Sequence, residues 1–270
     1  MFVLARLGEL LAFAHVDLHE RITELAQRIQ NDPASFNLRL ERADTLRLDR
    51  EFADALADVE AAEKILPHQP ATQLERARIW FDSEHFSRTV VAASECLTLS
   101  PANADALVLR ARAYARLNLQ AKAIEDYSAV LESARRPLPD LFLERARCQA
   151  VLGRFADAVH GLDEGMAKIG RTPSLAFPAL DYERRRGDFS AAQARLENMR
   201  DWFDQESFLA LRGEIHLQAG ASDEALLDFN RALDLLKILP DTRRSTTAVQ
   251  ELAERLKADL QKTDATKAPK

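Results

Sequence analysis

Pro33, Pro67 and Pro101 stand 34 residues apart (67 − 33 and 101 − 67), and the segments they close share one design. Self-similarity at such a period is the signature of a helical solenoid, whose units bury their apolar faces only against their neighbours. Only 8 glycines and 10 prolines occur in 270 residues, while Ala, Leu, Arg and Glu are frequent, a balance that favours helix over sheet. With 47% hydrophobic and 30% charged residues, the chain has material for a packed core and a charged surface, which excludes disorder as the overall state.

The design is legible at single positions. From Ala43, the residues twelve, nineteen and twenty-four places on are Ala55, Ala62 and Pro67. The same offsets from Ala77 give Thr89, Cys96 and Pro101; from Ala111 they give Ala123 and Val130, with the proline delayed to Pro137. Ala146, Ala158 and Gly165 precede Pro173, and Gly213, Ala225 and Ala232 precede Pro240. A degenerate unit lies between, with Leu180, Ala192 and Met199 at the three positions and no closing proline near Asp204. Two antiparallel helices approach closely only where side chains are small, so Ala or Gly marks their crossing. The turn inside each unit carries Gly153, Gly187 or Gly220, or the polar Asp49-Arg50 and Asn118, which suit a helix C-terminus. In four units an aromatic follows the turn: Phe52, Phe86, Phe155 and Phe189.

These residues, from about Phe36 to Pro240, resemble the tetratricopeptide repeat family, and the chain is similar to bacterial members of unassigned function. The resemblance implies an all-α, right-handed solenoid of antiparallel helix pairs, six repeats over 36–240, flanked by capping helices at 15–33 and 243–262 and a disordered tail at 263–270. One-sided stripes support both caps: Leu18, Ile22, Leu25 and Ile29 at one end, and Val249, Leu252, Leu256 and Leu260 at the other.

In this family the first helices of successive repeats line a concave groove that receives a peptide or helix. The residue after each small position should face it: Asp44, Arg78, Arg112, Arg147, Asp181 and Glu214. Arg116, Arg184 and Arg185 extend the basic strip. Arginine grips carboxylate in a bidentate fork, so an acidic segment is the natural ligand. The competing reading is a solvated, internally paired face, because Glu75 and Glu144 lie three residues before Arg78 and Arg147. Apolar residues share the groove, one per repeat: Leu40, Leu74, Val108, Leu143 and Phe177, with Phe81 and Val151 nearby. They either meet a partner or pack against neighbouring helices.

A second arginine series, Arg42, Arg76, Arg110, Arg145 and Arg212, precedes the small positions, and Asp58, Asp126 and Asp228 recur sixteen residues later in three units. Partly buried bridges that specify packing are the expectation there. The function expected is a non-catalytic protein-interaction scaffold binding a peptide or partner protein in its groove. A self-assembling structural protein, anchored through Trp202 and Phe203, is the alternative, and an enzyme's regulatory subunit is a minor one.

No phosphate loop, nucleophile elbow, CxxC pair or haem motif occurs, and no cofactor or metal is expected; His15 and His19 are four apart, but no third ligand accompanies them. Cys96 and Cys148 read as buried small hydrophobes. A net charge of −6 argues against nucleic acid, and no apolar run reaches the roughly 20 residues of a membrane span. Residues 1–14 read in two ways. Ala12-Phe13-Ala14 has the form of a signal-peptidase site before a poorly formed, degenerate or truncated signal, and the segment equally reads as a short amphipathic helix. As written the protein would be cytoplasmic; with a truncated start it would be exported or periplasmic, as in bacterial relatives that open like His15-Val16-Asp17-Leu18.

Overall fold

In the computed structural model, the structure describes the backbone of residues 2–267 and the side chains of residues 17–263. The signal reading of residues 1–14 and the side chain of His15 lie outside the described side chains. Among the described residues every regular element is helical.

The chain divides into two compact units, residues 1–135 and 136–270. The first opens with α1 (Phe2–Asn31), followed by three helix pairs: α2 (Phe36–Leu48) with α3 (Phe52–Ile65), α4 (Pro70–Asp82) with α5 (Phe86–Leu99), and α6 (Ala104–Arg116) with α7 (Gln120–Ser133). The second holds α8 (Pro139–Val151) with α9 (Phe155–Ile169), α10 (Pro173–Arg186) with α11 (Phe189–Asn198), and α12 (Gln205–Gln218) with α13 (Ser222–Ile238), then α14 (Asp241–Arg244) and α15 (Thr247–Lys267). Helix α15 runs past the boundary expected at 262, and residues 268–270, the end of the expected tail, lie outside the described residues.

The small positions form the seams of both units. Ala43, Ala55, Ala62, Ala77, Thr89, Cys96, Ala111, Ala123 and Val130 are buried in the first; Ala146, Ala158, Ala192, Ala225 and Ala232 are buried in the second. Gly213 shows why size matters, since a Cβ there would sit 2.5 Å from the Phe229 ring. At Gly165 a Cβ would meet Phe142 at 2.8 Å and Leu175 at 2.9 Å. Each glycine therefore lets one buried aromatic approach a helix backbone closely. Burying a side chain such as Phe142, Phe208 or Phe229 contributes about 2–3 kcal/mol.

Every pair turns through the same device. Arg50, Glu84, Asn118, Gly153, Gly187 and Gly220 all have positive φ, between 60° and 79°. The next residue's N–H reaches back to a carbonyl five residues earlier, as in Glu51 to Leu46 (2.9 Å), His85 to Trp80 (2.8 Å), Leu119 to Tyr114 (2.9 Å) and Asp188 to Glu183 (3.0 Å). This left-handed cap satisfies carbonyls that the helix end would otherwise orphan.

First helices of successive pairs touch one another within each unit, α2 with α4, α4 with α6, and α8 with α10. One face of each unit is thus built from first helices. Helix α1 buries Leu25 and Ile29 and lays Ile22 on the core of the first pair. Helix α15 buries Leu256 and packs Val249, Leu252 and Leu260 against the core of the last. The degenerate fifth pair differs in kind: α10 contains Pro178, α11 is only 10 residues long, and a 3-10 turn at Arg200–Trp202 follows it. Asp204 stands where a proline was missing and caps α12, its carboxylate accepting from the Ser207 N–H at 3.0 Å.

Candidate functional site

On the first-helix face of unit one, the basic residues sit in a mesh of carboxylates. Arg78, half-buried, donates to Glu75 on its own helix and to Asp105 on α6, both at 3.2 Å. Arg47 spans two helices, pairing with Asp44 (2.5 Å), with Glu75 (3.3 Å) and with Asp82. Those hydrogen bonds hold the Arg47 guanidinium charged, against the cost of its burial. Glu75 is buried, and that burial together with the nearby Asp44 raises its pKa, with Arg47 and Arg78 opposing. Arg112 is half-buried. Arg116 is exposed and stacks over the Phe86 ring, 4.6 Å from its centroid.

The apolar candidates of this unit separate. Leu74 is a correction: only 9% exposed, it packs with Cys96, Leu97 and Ala106 in the core and presents nothing to a ligand. Phe81 is half-buried with its ring edge-on to Phe86 at 5.6 Å, and Val108 is half-buried.

Unit two presents its first-helix face differently. Leu143, Arg147 and Val151 follow at four-residue spacing along α8, one stripe of that helix. Leu143 is half-buried, Arg147 is exposed, and Val151 is 69% exposed. On α10, Phe177 is 40% exposed, with its ring against Trp202 (6.2 Å) and edge-on to Phe203 (5.6 Å). Trp202 and Phe203 are half-buried and packed against the unit's core, so they fill the space beside the short α11. Arg185 stacks on Phe155 at 4.6 Å, repeating what Arg116 does with Phe86 one unit earlier in its own stack. Arg184 bridges to α12, donating to Gln218 (2.9 Å) and Glu214 (3.3 Å).

The second arginine series forms bridges where an aspartate is available. Arg42, Arg110 and Arg212 each hold Asp58, Asp126 and Asp228 through two hydrogen bonds of 2.5–2.8 Å, and all three carboxylates are buried. These bonds raise the three arginine pKa values. In the fourth pair the corresponding residue is Gly161, and Arg145 occupies the freed space and reaches Glu164 at 2.8 Å instead. The fifth pair inverts the arrangement: Ala179 holds the arginine's place, Arg195 holds the aspartate's, and Arg195 pairs with Glu183 (2.7 Å) and Asp163 (2.8 Å).

Sequence reasoning did not single out Arg47, although its register, four residues after the small position, is the one Arg184 shares. Both use that place to reach the next first helix. Cys96 and Cys148 are buried and free, and burial raises both thiols, Cys148 to about 11. Among the described residues no group of three His, Cys, Asp or Glu side chains is placed to hold a metal, and no helix is long and apolar enough to cross a membrane.

Stacked antiparallel pairs with small residues at the crossings define a helical-repeat scaffold. The tetratricopeptide repeat family model matches residues 179–240. Solved structures similar to this chain include a tetratricopeptide repeat protein from Parabacteroides merdae ATCC 43184 (17% identity, 90% of this chain and 99% of that one, TM-score 0.52). YrrB, described as a TPR protein with an unusual peptide-binding site, shares 15% identity over 74% of this chain and 97% of its own, at TM-score 0.53. PilW, a type IV pilus biogenesis factor, shares 19% identity over 76% and 94%, at TM-score 0.51. No curated protein matches the sequence. Residues 179–240 match the tetratricopeptide repeat family model, and the chain has the fold of solved tetratricopeptide repeat proteins.

Proposed function

We propose that this protein is a non-catalytic scaffold that holds a peptide or partner-protein segment on the first-helix face of its second unit. The observation that carries the reading is the exposed stripe of Arg147 and Val151 on α8, together with the exposed Phe177 on α10, the next first helix, which touches α8. Exposed Val and Phe lose water on contact, and exposed Arg adds direction and charge recognition, a combination suited to a short segment with apolar and acidic residues. The peptide-binding description of YrrB supports the same use of this fold. In unit one the corresponding arginine, Arg78, already has Glu75 and Asp105, so it contributes less to an incoming carboxylate.

The test is affinity capture with wild type and an Arg147→Glu/Val151→Asp variant, matched for helicity and melting temperature. A Leu227→Asp variant on a second helix, where Leu227 is also exposed, serves as the control. The expected result is a partner retained by wild type and by the control and lost by the α8 variant. Equal recovery by all three removes this face from consideration.

A further inference from the structure

The second pair breaks the Arg–Asp rule in a way that leaves a vacancy. Sixteen residues after Arg42, Arg110 and Arg212 stands a buried aspartate that clamps the guanidinium. Sixteen residues after Arg76 stands Ala92, also buried. Among the described residues Arg76 makes one hydrogen bond, to Gln73 Oε1 at 2.5 Å. Among the described residues no carboxylate lies within ion-pair distance of it or of Arg88.

The missing carboxylate leaves open space. A pocket of about 370 Å³ between α4 and α5 is lined by Arg76, Trp80, Arg88, Val91, Ala92 and Glu95. Arg88 lies over the Trp80 ring, 4.5 Å from its centroid, and holds the indole as one wall. Val91, 58% exposed, forms an apolar rim. Two guanidinium groups face one carboxylate, Glu95, so the pocket carries a net positive charge.

We infer that this pocket takes an Asp or Glu side chain from an acidic, apolar-flanked segment of a partner polypeptide, whose carboxylate occupies the place that Asp58, Asp126 and Asp228 fill in the sister repeats. The chain itself supplies the template, because the same arginine in the same register accepts a carboxylate in a two-bond fork three times over. A neighbouring apolar residue of the segment rests on Trp80 and Val91. Glu95 competes weakly for the same arginines and tunes affinity downward. The site shares no residue with the first-helix face of unit two.

Calorimetric titration of the full chain tests it, using the capped peptide acetyl-Leu-Glu-Leu-Asp-Leu-Glu-amide and its Gln/Asn counterpart. The acidic peptide is expected to bind at least tenfold tighter than its neutral counterpart, with affinity falling as salt rises. Ala92→Asp restores the internal clamp, so it should fold with a melting temperature no lower than wild type and bind at least tenfold more weakly. Arg76→Gln should bind at least tenfold more weakly as well, Glu95→Gln should bind more tightly, and Leu227→Asp, at an exposed position of α13 outside the pocket, should be unchanged. The inference is overturned if Ala92→Asp binds like wild type, if no heat is detected at millimolar peptide, or if the neutral peptide with a free C-terminal carboxylate binds as well as the acidic one.

Discussion

An arginine one residue before the small crossing position and an arginine one residue after it have different energetic weight, and solvent decides the difference. Asp126 is buried and, among the described residues, pairs with Arg110, so removing one partner leaves the other's charge uncompensated in a largely buried seam. Asp126→Ala should therefore cost about 3–5 kcal/mol in urea unfolding. Arg78→Ala should cost under about 1 kcal/mol, because Arg78 is more than a third exposed and Asp105 is open to water. Comparable losses from the two variants would show that the register argument fails. Glu75 adds a pH dependence of unusual sign. Its native pKa is raised, chiefly by burial, so the folded state holds this proton more tightly than the unfolded chain does. Stability from this group is then greatest below the ordinary Glu pKa of about 4.3 and falls as pH rises through the raised native value. Glu75→Gln should be more stable relative to wild type at pH 7 than at pH 4, measured by urea midpoints at both. A difference that shrinks on raising pH would contradict the assignment.

At the scale of the helix pair, the turn was only partly visible in the sequence. Gly153, Gly187 and Gly220 announce a left-handed cap, and Asn118 and Arg50 sit in polar turns, but Glu84 carries no such signal because glutamate has no preference for positive φ. The cap geometry of the pair imposes it. A non-glycine residue held there costs about 1–2 kcal/mol, so Glu84→Gly should stabilise the protein by about 1 kcal/mol, read as a shift in urea midpoint; a destabilised variant would mean that the Glu84 side chain contributes more than its backbone costs. Gly213→Ala runs the other way. Its Cβ would press into the Phe229 ring, and overpacking of this kind costs about 1–3 kcal/mol against the helix-propensity gain of about 1. A thermal melt lower than wild type is expected, and a double variant with Phe229→Leu should recover much of the loss. The small-residue register, the helical class and the Arg–Asp bridges are local or fixed-offset patterns, which is why the chain displays them before any fold is known. The missing partner of Arg76 shows at that same offset, as Ala92, but the pocket beside it does not; Leu74 in the core and the Arg47 mesh depend on which helix lies opposite, and no offset in the sequence carries that.

At the scale of the whole molecule, a stack of pairs leaves an uncovered apolar face at each end unless another element lies over it. In unit two that element is α15, which contributes Val249, Leu252, Leu256 and Leu260 to the core shared by α12 and α13. Helix α15 has little reason to be helical alone, since stability in such helices comes from the apolar face they bury. Its removal transfers those side chains to water together with the surface of α13 they cover, a loss of about 1.5 kcal/mol for each well-buried Leu. Truncation after Thr246 should therefore lower the stability of unit two by several kcal/mol and create a dye-binding apolar surface. Hydrogen exchange distinguishes this from a general loss of folding: amides of α12 and α13 should lose protection first, while those of α2 to α5 in unit one keep theirs. Uniform loss along the chain, or unchanged protection in α13, would mean that α15 is an appendage, not the closing layer of its stack.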